Sequence, residues 1–267
     1  MNNLHRELAP ISAAAWAQID EEAARTLKRH LCARRVVDVV GPKGLELAAV
    51  GTGHLQAIQG PADGVRAAQR LSKPLVELRV PFEVSRSAID DVERGATDSD
   101  WMPVKDAARQ LAFAEDRAVF DGYAAGAIQG MGEASSNARI PLPANVRAYP
   151  EAVARAVAAL KLAGVNGPYA LVLGADAYTK ASGGNEDGYP IFQHLDRIVD
   201  GGVHWAPAIQ GGHVLTRRGG DFELVVGQDI SIGYASHNAS TVELYFTESF
   251  TFRPLTSEAS VTLSSAG

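Results

Sequence analysis

The segment from Asp100 to Gly122 constrains the fold most, because it predicts one long and closely packed helix. Asp100 suits the N-cap, Pro103 the first turn and Gly122 the end. At about 1.5 Å per residue the helix is roughly 30 Å long, the width of a small domain. Apolar side chains recur at the spacing of one helical face at Val104, Ala107, Leu111, Ala114 and Ala118. Since this face is mostly alanine, we expect another element to pack very close to it.

Other elements are predicted on the N-terminal side of this helix. An amphipathic helix is predicted over 12–31, where Ser12 can serve as the cap. A short strand is predicted over 35–40. Residues 75–84 alternate as a strand does, and Pro81 favours an edge or a bulge because proline cannot donate to a ladder.

A glycine-dotted region lies between these two strands, over residues 41–64. It contains two short apolar pieces, LELAAV (45–50) and HLQAI (54–58). We predict that these two pieces pair with each other as an extended hairpin arm.

The middle of the chain alternates helical and extended patterns, and the C-terminal part is rich in β-structure. A helix is predicted over 150–163, a buried strand over 169–174 and a polar, glycine-rich loop over 181–190. Gly219-Gly220-Asp221 is a hairpin signal between two apolar runs. Residues 241–255 alternate like one long strand.

Composition excludes several classes of protein. The chain has 267 residues and a formal net charge of -6, and no run of Lys and Arg is longer than two residues, as at Arg34-Arg35 and Arg217-Arg218. A protein that contains or reads nucleic acid usually shows a basic face, so that class is disfavoured. The single cysteine, Cys32, forms no internal disulfide and is typical of a reducing compartment. No apolar run approaches the roughly 20 residues of a membrane span, and we therefore expect a cytoplasmic protein.

A search for catalytic and metal-binding motifs finds no active site. The seven histidines show no zinc-motif spacing. No phosphate-binding loop or serine nucleophile motif is present. Glu115 and Asp116 are adjacent, but adjacent helical residues point about 100° apart, so we predict a solvated or salt-bridged edge there. The residues alone predict an α+β protein with two subdomains and an extended arm, without enzymatic activity and without a metal site.

Several motifs resemble one known family. FAEDRAVFDG (113–122) is similar to the motif on the long spine helix of the encapsulins, the bacterial and archaeal nanocompartment shell proteins. Further segments resemble the family in the same order, and the resemblance covers essentially the whole chain. They are LAPISAAAWAQIDEEA (8–23), RRVVDVVGPKG (34–44), KPLVELRVPF (73–82), DDVERG (90–95), GVNGPYALVL (164–173), GGDFELVVGQDISIGY (219–234) and ESFTFR (248–253).

The resemblance implies the fold of tailed-bacteriophage major capsid proteins. Residues 1–134 would hold the N-terminal helix, the elongated loop and the peripheral domain with its spine helix. Residues 135–220 would form the axial domain, and 221–267 would return to the peripheral domain. The elongated loop, which we call the arm, would occupy about 41–82 and bury its apolar side chains against a neighbouring subunit. Those side chains are Leu45, Leu47, Leu55 and Ile58.

The function implied is that of a self-assembling shell subunit. Copies of the chain would close into an icosahedral homo-oligomer, of the smallest size class, around a cargo enzyme. The cargo would be a dye-decolourising peroxidase or a ferritin-like protein, held by its C-terminal tail. A viral capsid protein is one alternative, and a bacteriocin or protease is another. With the acidic net charge, the resemblance implies no nucleic acid and no membrane as partners.

The resemblance also bears on three sites, one of which we expect to be absent. Some family members stack a flavin on an aromatic side chain that corresponds to Ser87 here, so we expect no flavin. The acidic pair Glu186 and Asp187 would make a cation-favouring ring at a five-fold pore. The pore loop is Gly183, Gly184, Asn185, Glu186, Asp187, Gly188 and Tyr189. The cargo tail would bind Leu27, Leu31, Arg34, Asp38, Asp229, Ile230 and Ile232, with Arg34 and Asp38 selecting its charges.

Overall fold

The computed structural model describes residues 3–265. Its helices are α1 (Ala13–His30), α2 (Arg86–Glu93), α3 (Met102–Phe120), α4 (Met131–Ala134), α5 (Tyr149–Leu162), α6 (Ala175–Gly183) and α7 (Ile191–Ile198). Its strands are β1 (Asp38–Val40), β2 (Ala49–Ile58), β3 (Ala67–Pro74), β4 (Val76–Ser85), β5 (Ile140–Pro141), β6 (Tyr169–Leu173), β7 (Asn185–Glu186), β8 (Tyr189–Pro190), β9 (Val203–Trp205), β10 (Gly212–Thr216), β11 (Phe222–Val226), β12 (Ser231–His237), β13 (Thr241–Pro254) and β14 (Ser260–Ser264). None of the helices between residues 3 and 265 is long and apolar enough to cross a membrane.

The first sheet is organised around β13, a strand of 14 residues that the alternating sequence predicted. β4 runs antiparallel along one side of β13, from Val76 opposite Phe250 to Ser85 opposite Thr241. β12 and β11 follow one another along the other side, and β1 extends the sheet beyond β11 in parallel. β4 therefore lies at an edge, as Pro81 predicted.

Helix α3 packs against this sheet, and α1 packs against α3. Trp101, not the predicted Asp100, is the N-cap of α3. The Asp100 carboxylate still accepts a hydrogen bond from the Met102 backbone N–H at 3.0 Å, so it satisfies one donor of the first turn. Val104 and Leu111 are fully buried in one core with Ile19 of α1 and Phe246 of β13. The prediction of one long, closely packed helix is confirmed.

The second sheet has the order β5-β14-β10-β6-β9 and packs against helices of the middle block. The strand β6 is buried at every position, as predicted. Leu171 of β6 shares a core with Val153 and Leu160 of α5 and with Leu195 of α7. The predicted block 135–220 therefore supplies most, but not all, of the second sheet.

The resemblance implied that all of residues 221–267 return to the domain of the spine helix, which packs against the first sheet. Part of this segment lies in the second sheet instead. β11, β12 and β13 do lie in the first sheet, whereas β14 pairs with β10 and β5 in the second sheet. The reason is burial, because Val261 and Leu263 of β14 complete the core of the second sheet.

Gly219 and Gly220 do not form the predicted hairpin. Both have a positive φ, of 85° and 80°, which suits a tight turn. The strands on either side belong to different sheets, since β10 pairs with β6 and β14 while β11 pairs with β13 and β1. The glycines therefore mark a crossing between the two sheets.

A second crossing, between β13 and β14, runs beside the first one. The Asp221 carbonyl accepts hydrogen bonds from the backbone N–H groups of Leu255 and Thr256, at 2.8 and 3.3 Å. The Asp221 carboxylate also accepts two hydrogen bonds from the Arg218 guanidinium, both at 2.8 Å. The two crossings are thus bonded to each other where the chain passes between the sheets.

The arm contains a two-stranded ribbon, but its pairing differs from the prediction. Ala49–Gly51 lie opposite 72–74 and Leu55–Ile58 lie opposite 67–70, with an irregularity between the two stretches. Most of LELAAV precedes the ribbon and its end joins HLQAI in the same strand, β2, so the two pieces cannot pair with each other. Their true partner, β3, is polar and has no apolar pattern that would have identified it.

Candidate functional site

A hollow beside α1 brings together three of the predicted tail-binding residues. Leu27 lies on α1, Ile230 immediately precedes β12, and Ile232 is the second residue of that strand. Helical spacing adds Ala23 and Ala24 to the same wall, and Phe246 of β13 contributes as well. We call this depression, of about 250 Å³, the aliphatic hollow. Its lining is suited to aliphatic side chains.

An ion pair that the sequence analysis did not identify lies at the rim of the aliphatic hollow. The Arg6 guanidinium approaches the Asp20 carboxylate to 2.7 Å and lies over the Trp16 ring, 3.9 Å from its centroid. Both charged residues also line a neighbouring, more open depression of about 540 Å³. The pair is separated by 14 residues in the chain, so no local pattern indicates it.

Arg34 is held by three carboxylates of the same chain. Its guanidinium donates to Glu115 at 2.8 and 2.9 Å, to Glu248 at 3.0 Å and to Asp229 at 2.6 Å. Glu115 and Glu248 are fully buried, whereas Asp229 is half exposed. Burial and then the nearby Glu115 carboxylate raise the pKa of Glu248 well above its ordinary value. Arg34 therefore neutralises buried carboxylates and has little capacity left to meet the charge of a ligand.

Asp38 and Leu31 lie in other surroundings. The Asp38 carboxylate accepts a hydrogen bond from the Gly220 N–H at 2.6 Å and lines a small polar cleft with Arg35 and Arg217. Leu31 is half-buried at the C-cap of α1. The structure thus brings Leu27, Ile230 and Ile232 together and Asp229 to Arg34, but it does not bring Asp38 or Leu31 into the lining of the aliphatic hollow.

Asp116 holds the segment that carries Arg34. Its carboxylate accepts hydrogen bonds from the backbone N–H groups of Cys32 and Ala33, the shortest at 2.8 Å. Burial raises the pKa of Asp116 to about 7, although these N–H donors oppose the shift. The prediction of a solvated edge at Glu115 and Asp116 is wrong, because both side chains are fully buried. The prediction of a salt bridge is correct for Glu115 alone, which pairs with Arg34.

Cys32 is a buried residue of this same segment. Its thiol is free, and burial, followed by the charge of Asp116, raises the pKa of Cys32. A buried thiol of this kind is a poor nucleophile. Within residues 3–265, no group of three or more His, Cys, Asp and Glu side chains is placed to hold a metal ion.

The predicted pore loop is a short hairpin at the end of α6. α6 extends through Gly183, and β7 and β8 pair across a turn in which Asp187 and Gly188 have a φ of 48° and 88°. Asp187 is exposed, whereas the Glu186 carboxylate is 3.7 Å from Nδ1 of His194. The Tyr189 ring packs on that histidine with a centroid distance of 4.4 Å. The hairpin is thus attached to α7, and Asp187 is the acid at its tip.

The arm leaves large apolar side chains open to solvent within one chain. Leu45, Leu55 and Ile58 are 55%, 65% and 50% exposed, and Leu47 is half-buried. Leu55 and Ile58 lie on opposite faces of the ribbon, because their separation of three residues is odd. Val65 and Leu71, which the sequence analysis did not single out, are also exposed. A ribbon that is apolar on both faces is typical of a segment that packs between other surfaces.

Ser87 occupies the first turn of α2. Its hydroxyl lies 2.6 Å from that of Ser85, the residue that caps the helix. Position 87 therefore carries a small polar side chain that is engaged locally, with no ring on which a flavin could stack.

Comparisons with known proteins agree with this architecture. The model of the family described as "Linocin_M18: Encapsulating protein for peroxidase" matches residues 1–251. The type 1 encapsulin shell protein of Rhodococcus erythropolis is 61% identical over 263 residues, which cover 98% of this chain and 100% of that protein.

Solved structures show the same fold at low sequence identity. The virus-like particle from Pyrococcus furiosus has a TM-score of 0.68 at 18% identity, over 93% of this chain and 98% of that one. The capsid of Myoviridae phage XM1 has a TM-score of 0.55 at 12% identity, over 86% and 90%. These likenesses confirm the predicted capsid-like α+β fold. Since the family match covers nearly the whole chain, the protein belongs to the encapsulin shell proteins.

Proposed function

We propose that this chain is the subunit of a closed, hollow, cytoplasmic shell, and that the C-terminal tail of an enclosed enzyme binds the aliphatic hollow. The observation that carries the proposal is the convergence of Leu27, Ile230 and Ile232 beside a charged rim. The description of the matching family favours a peroxidase as the cargo, with a ferritin-like protein as the second candidate.

The chemistry of the hollow suits an extended apolar tail. Aliphatic side chains of the tail would enter between α1 and β12, where each buried methylene contributes about 0.8 kcal/mol. Arg6 and Asp20 offer one charge of each sign at the rim, so they would set the register of a tail that carries charges. Arg34 would act indirectly, by holding Asp229 beside Ile230. Asp38 lies outside the lining of the aliphatic hollow, so it would contact only tail residues that extend beyond the hollow.

Weak binding of each tail to the aliphatic hollow is sufficient to load the cargo. An oligomeric cargo presents several tails to many identical subunits, so binding of the first tail raises the effective concentration of the others. The small volume of the aliphatic hollow, about 250 Å³, is compatible with such a weak contact.

The arm and the hairpin would serve the shell rather than the cargo. Exposed apolar side chains on both faces of the ribbon would be buried against neighbouring subunits, in contacts that repeat around the symmetry axes. The hairpin would line a pore, with Asp187 of each copy forming the acidic ring and Glu186 restrained by His194.

A viral capsid protein would need a different charge on its inner surface. A capsid that holds a genome has to neutralise phosphate charge, whereas this chain has a net charge of -6. Purified particles should therefore contain protein cargo and no nucleic acid. The ratio of absorbance at 260 nm to that at 280 nm, followed by nuclease digestion and gel analysis, distinguishes the two.

Loading of a reporter tests the cargo site directly. A fluorescent protein that carries the C-terminal tail of a candidate peroxidase should co-purify with shells, and Ile230→Asp should reduce its content at least tenfold while shells still form. Leu162→Asp is the matched control, because Leu162 is 90% exposed and lies on α5 outside the hollow. Equal loading of wild-type and Ile230→Asp shells would place the site elsewhere.

A further inference from the structure

A groove between α1 and α3 carries excess positive charge in an otherwise acidic chain. Arg25 and Arg29 of α1 and Lys105 and Arg109 of α3 line it, together with Glu22 and Asp106. Four cations minus two carboxylates leave a charge of +2, with His30 counted as neutral, whereas the whole chain has a net charge of -6. We call this depression, of about 470 Å³, the basic groove.

Helical spacing explains how the basic groove forms. Arg25 and Arg29 are four residues apart, as are Lys105 and Arg109, so each pair lies along one face of its helix. The two helices pack together, and both pairs line the same depression. No local sequence pattern indicates this site, because the basic residues are dispersed in the chain and come together only when the helices pack.

Most of the donors in the basic groove are available. Arg25 bonds Glu22, Lys105 lies 3.7 Å from Glu22, and Arg109 lies 2.9 Å from Asp106. The Arg29 guanidinium has no hydrogen-bonding or ionic partner within residues 3–265. The side chains of Arg25 and Arg109 are 67% and 53% exposed. Since an arginine has five N–H donors, most of the donors in the groove can still bind a ligand.

We propose that the basic groove binds a diphosphate group, either as inorganic pyrophosphate or as part of a nucleotide. Guanidinium groups match phosphate oxygens in a two-pronged geometry, and several such groups favour a polyvalent anion over a monovalent one. The volume lies within the range of small-molecule sites, roughly 300 to 1,000 Å³.

The dimensions of the basic groove favour a small ligand over an acidic peptide. The lining runs from Glu22 to His30 and from Met102 to Arg109, or about 10 to 12 Å at about 1.5 Å per residue. An extended peptide advances about 3.3 Å per residue, so only about three of its residues would fit. A diphosphate places its charges within that length.

The location connects the basic groove to the proposed shell without depending on the cargo. The groove and the aliphatic hollow flank the same exposed crest of α1, formed by Ala17, Glu21, Ala24 and Lys28. The ligand of the groove would be a solute on whichever side of the shell wall the groove faces. Binding itself requires neither a tail nor an enclosed enzyme.

Calorimetric titration of cargo-free protein, in the assembly state in which it purifies, tests the proposal at low ionic strength. Pyrophosphate should bind once per chain, ADP should bind similarly, and adenosine should not bind. Arg29→Gln and Arg109→Gln should each weaken pyrophosphate binding by about tenfold or more. Arg155→Gln is the matched control, since Arg155 is an exposed arginine on α5, outside the basic groove.

Two further measurements separate a loss of pyrophosphate binding from a loss of folding. Arg29→Lys retains the charge and helix propensity but loses the guanidinium geometry, so it should fold normally and still weaken binding. Thermal melting and electron microscopy of each variant establish that folding and assembly are intact. Absence of pyrophosphate binding to the wild type, or unchanged binding in the Arg29 and Arg109 variants, would overturn the proposal. Tighter binding of an acidic peptide than of pyrophosphate would do so as well.

Discussion

Two nitrogens of the Arg34 guanidinium donate to the carboxylate of Glu115, 81 residues away in the chain: Nε lies 2.9 and 2.8 Å from its two oxygens, and Nη2 lies 2.5 Å from Oε2. The carboxylate is fully buried, and the arginine side chain is 19% exposed. Because Glu248 is bound by the same arginine, this cation joins α3, β13 and the segment after α1. Arg34 therefore stabilises the fold whether or not a cargo tail is bound.

Arg34→Leu should destabilise the protein through the charges that it leaves behind. Removal of one partner of a buried ion pair costs about 3 to 5 kcal/mol, and the partial exposure of Arg34 favours the lower end of that range. We expect a clearly lower melting temperature and a lower yield of soluble protein. Differential scanning calorimetry measures the change, and Arg155→Leu on an exposed helix face serves as the control. A variant that melts like the wild type and loses only cargo would instead assign Arg34 to tail binding.

Glu248→Gln should change how stability depends on pH. A carboxyl whose pKa is higher in the folded than in the unfolded protein stabilises the fold at low pH, and that contribution is lost as the pH rises through the folded value. The pKa of Glu248 is raised from 4.5 by burial and by Glu115. The difference in melting temperature, variant minus wild type, should therefore grow as the pH increases from about 4.5.

The exposed Glu77 offers a control for the loss of one negative charge. Glu77→Gln lies on the neighbouring strand β4, where its side chain is 61% exposed. A difference curve for Glu248→Gln that is flat between pH 4.5 and 8, or that slopes downward, would contradict a raised pKa at Glu248.

Leu55→Asp combined with Ile58→Asp should prevent assembly without unfolding the subunit. Both side chains are exposed within one chain and lie on opposite faces of the ribbon, so the cost arises only where neighbouring subunits bury them. Size-exclusion chromatography should show small species in place of particles, with an unchanged circular dichroism spectrum. Gln56→Asp adds one charge to the same strand and should assemble far better. Full-sized particles from the double variant would show that the arm does not make these contacts.

Asp187→Asn should change the charge selectivity of the proposed pore more than Glu186→Gln does. Asp187 is exposed at the turn of the hairpin, whereas Glu186 lies 3.7 Å from His194 within the same chain. Turnover of anionic and cationic dyes by an enclosed peroxidase gives the two fluxes. We expect anion turnover to rise and cation turnover to fall in Asp187→Asn. Identical ratios in the variant and the wild type would exclude an acidic ring at this turn.

Periodicity predicted the long regular elements of the fold correctly. The helix α3 and the strand β13 each repeat their pattern over more than a dozen residues, and core packing agrees with that pattern. The two hairpin predictions failed because a turn signal specifies a local bend and not the partner of each strand. At Gly219-Gly220 the chain passes from the second sheet, where β10 pairs with β6 and β14, to the first, where β11 pairs with β13 and β1.

The candidate site was predictable only in part for a similar reason. The motif resemblance indicated Leu27, Ile230 and Ile232, which the fold does bring together. The charged network could not be inferred from local patterns, because Arg34 and Glu248 are 214 residues apart. Arg6 and Asp20 were missed because an isolated charge on a helix is most often merely solvated.

The paired crossings at Asp221 also bear on the mechanics of the subunit. Because the carbonyl of Asp221 accepts hydrogen bonds from the backbone N–H groups of Leu255 and Thr256, the two connections between the sheets are held to each other. The two sheets also share a buried core, which includes Leu215 of β10 and Leu224 of β11, so a tilt of one sheet against the other would displace atoms least where the sheets are joined. When the curvature of the shell wall changes, each subunit would therefore bend along the two connections at Asp221. The largest displacement would occur at the ends of the sheets farthest from these connections.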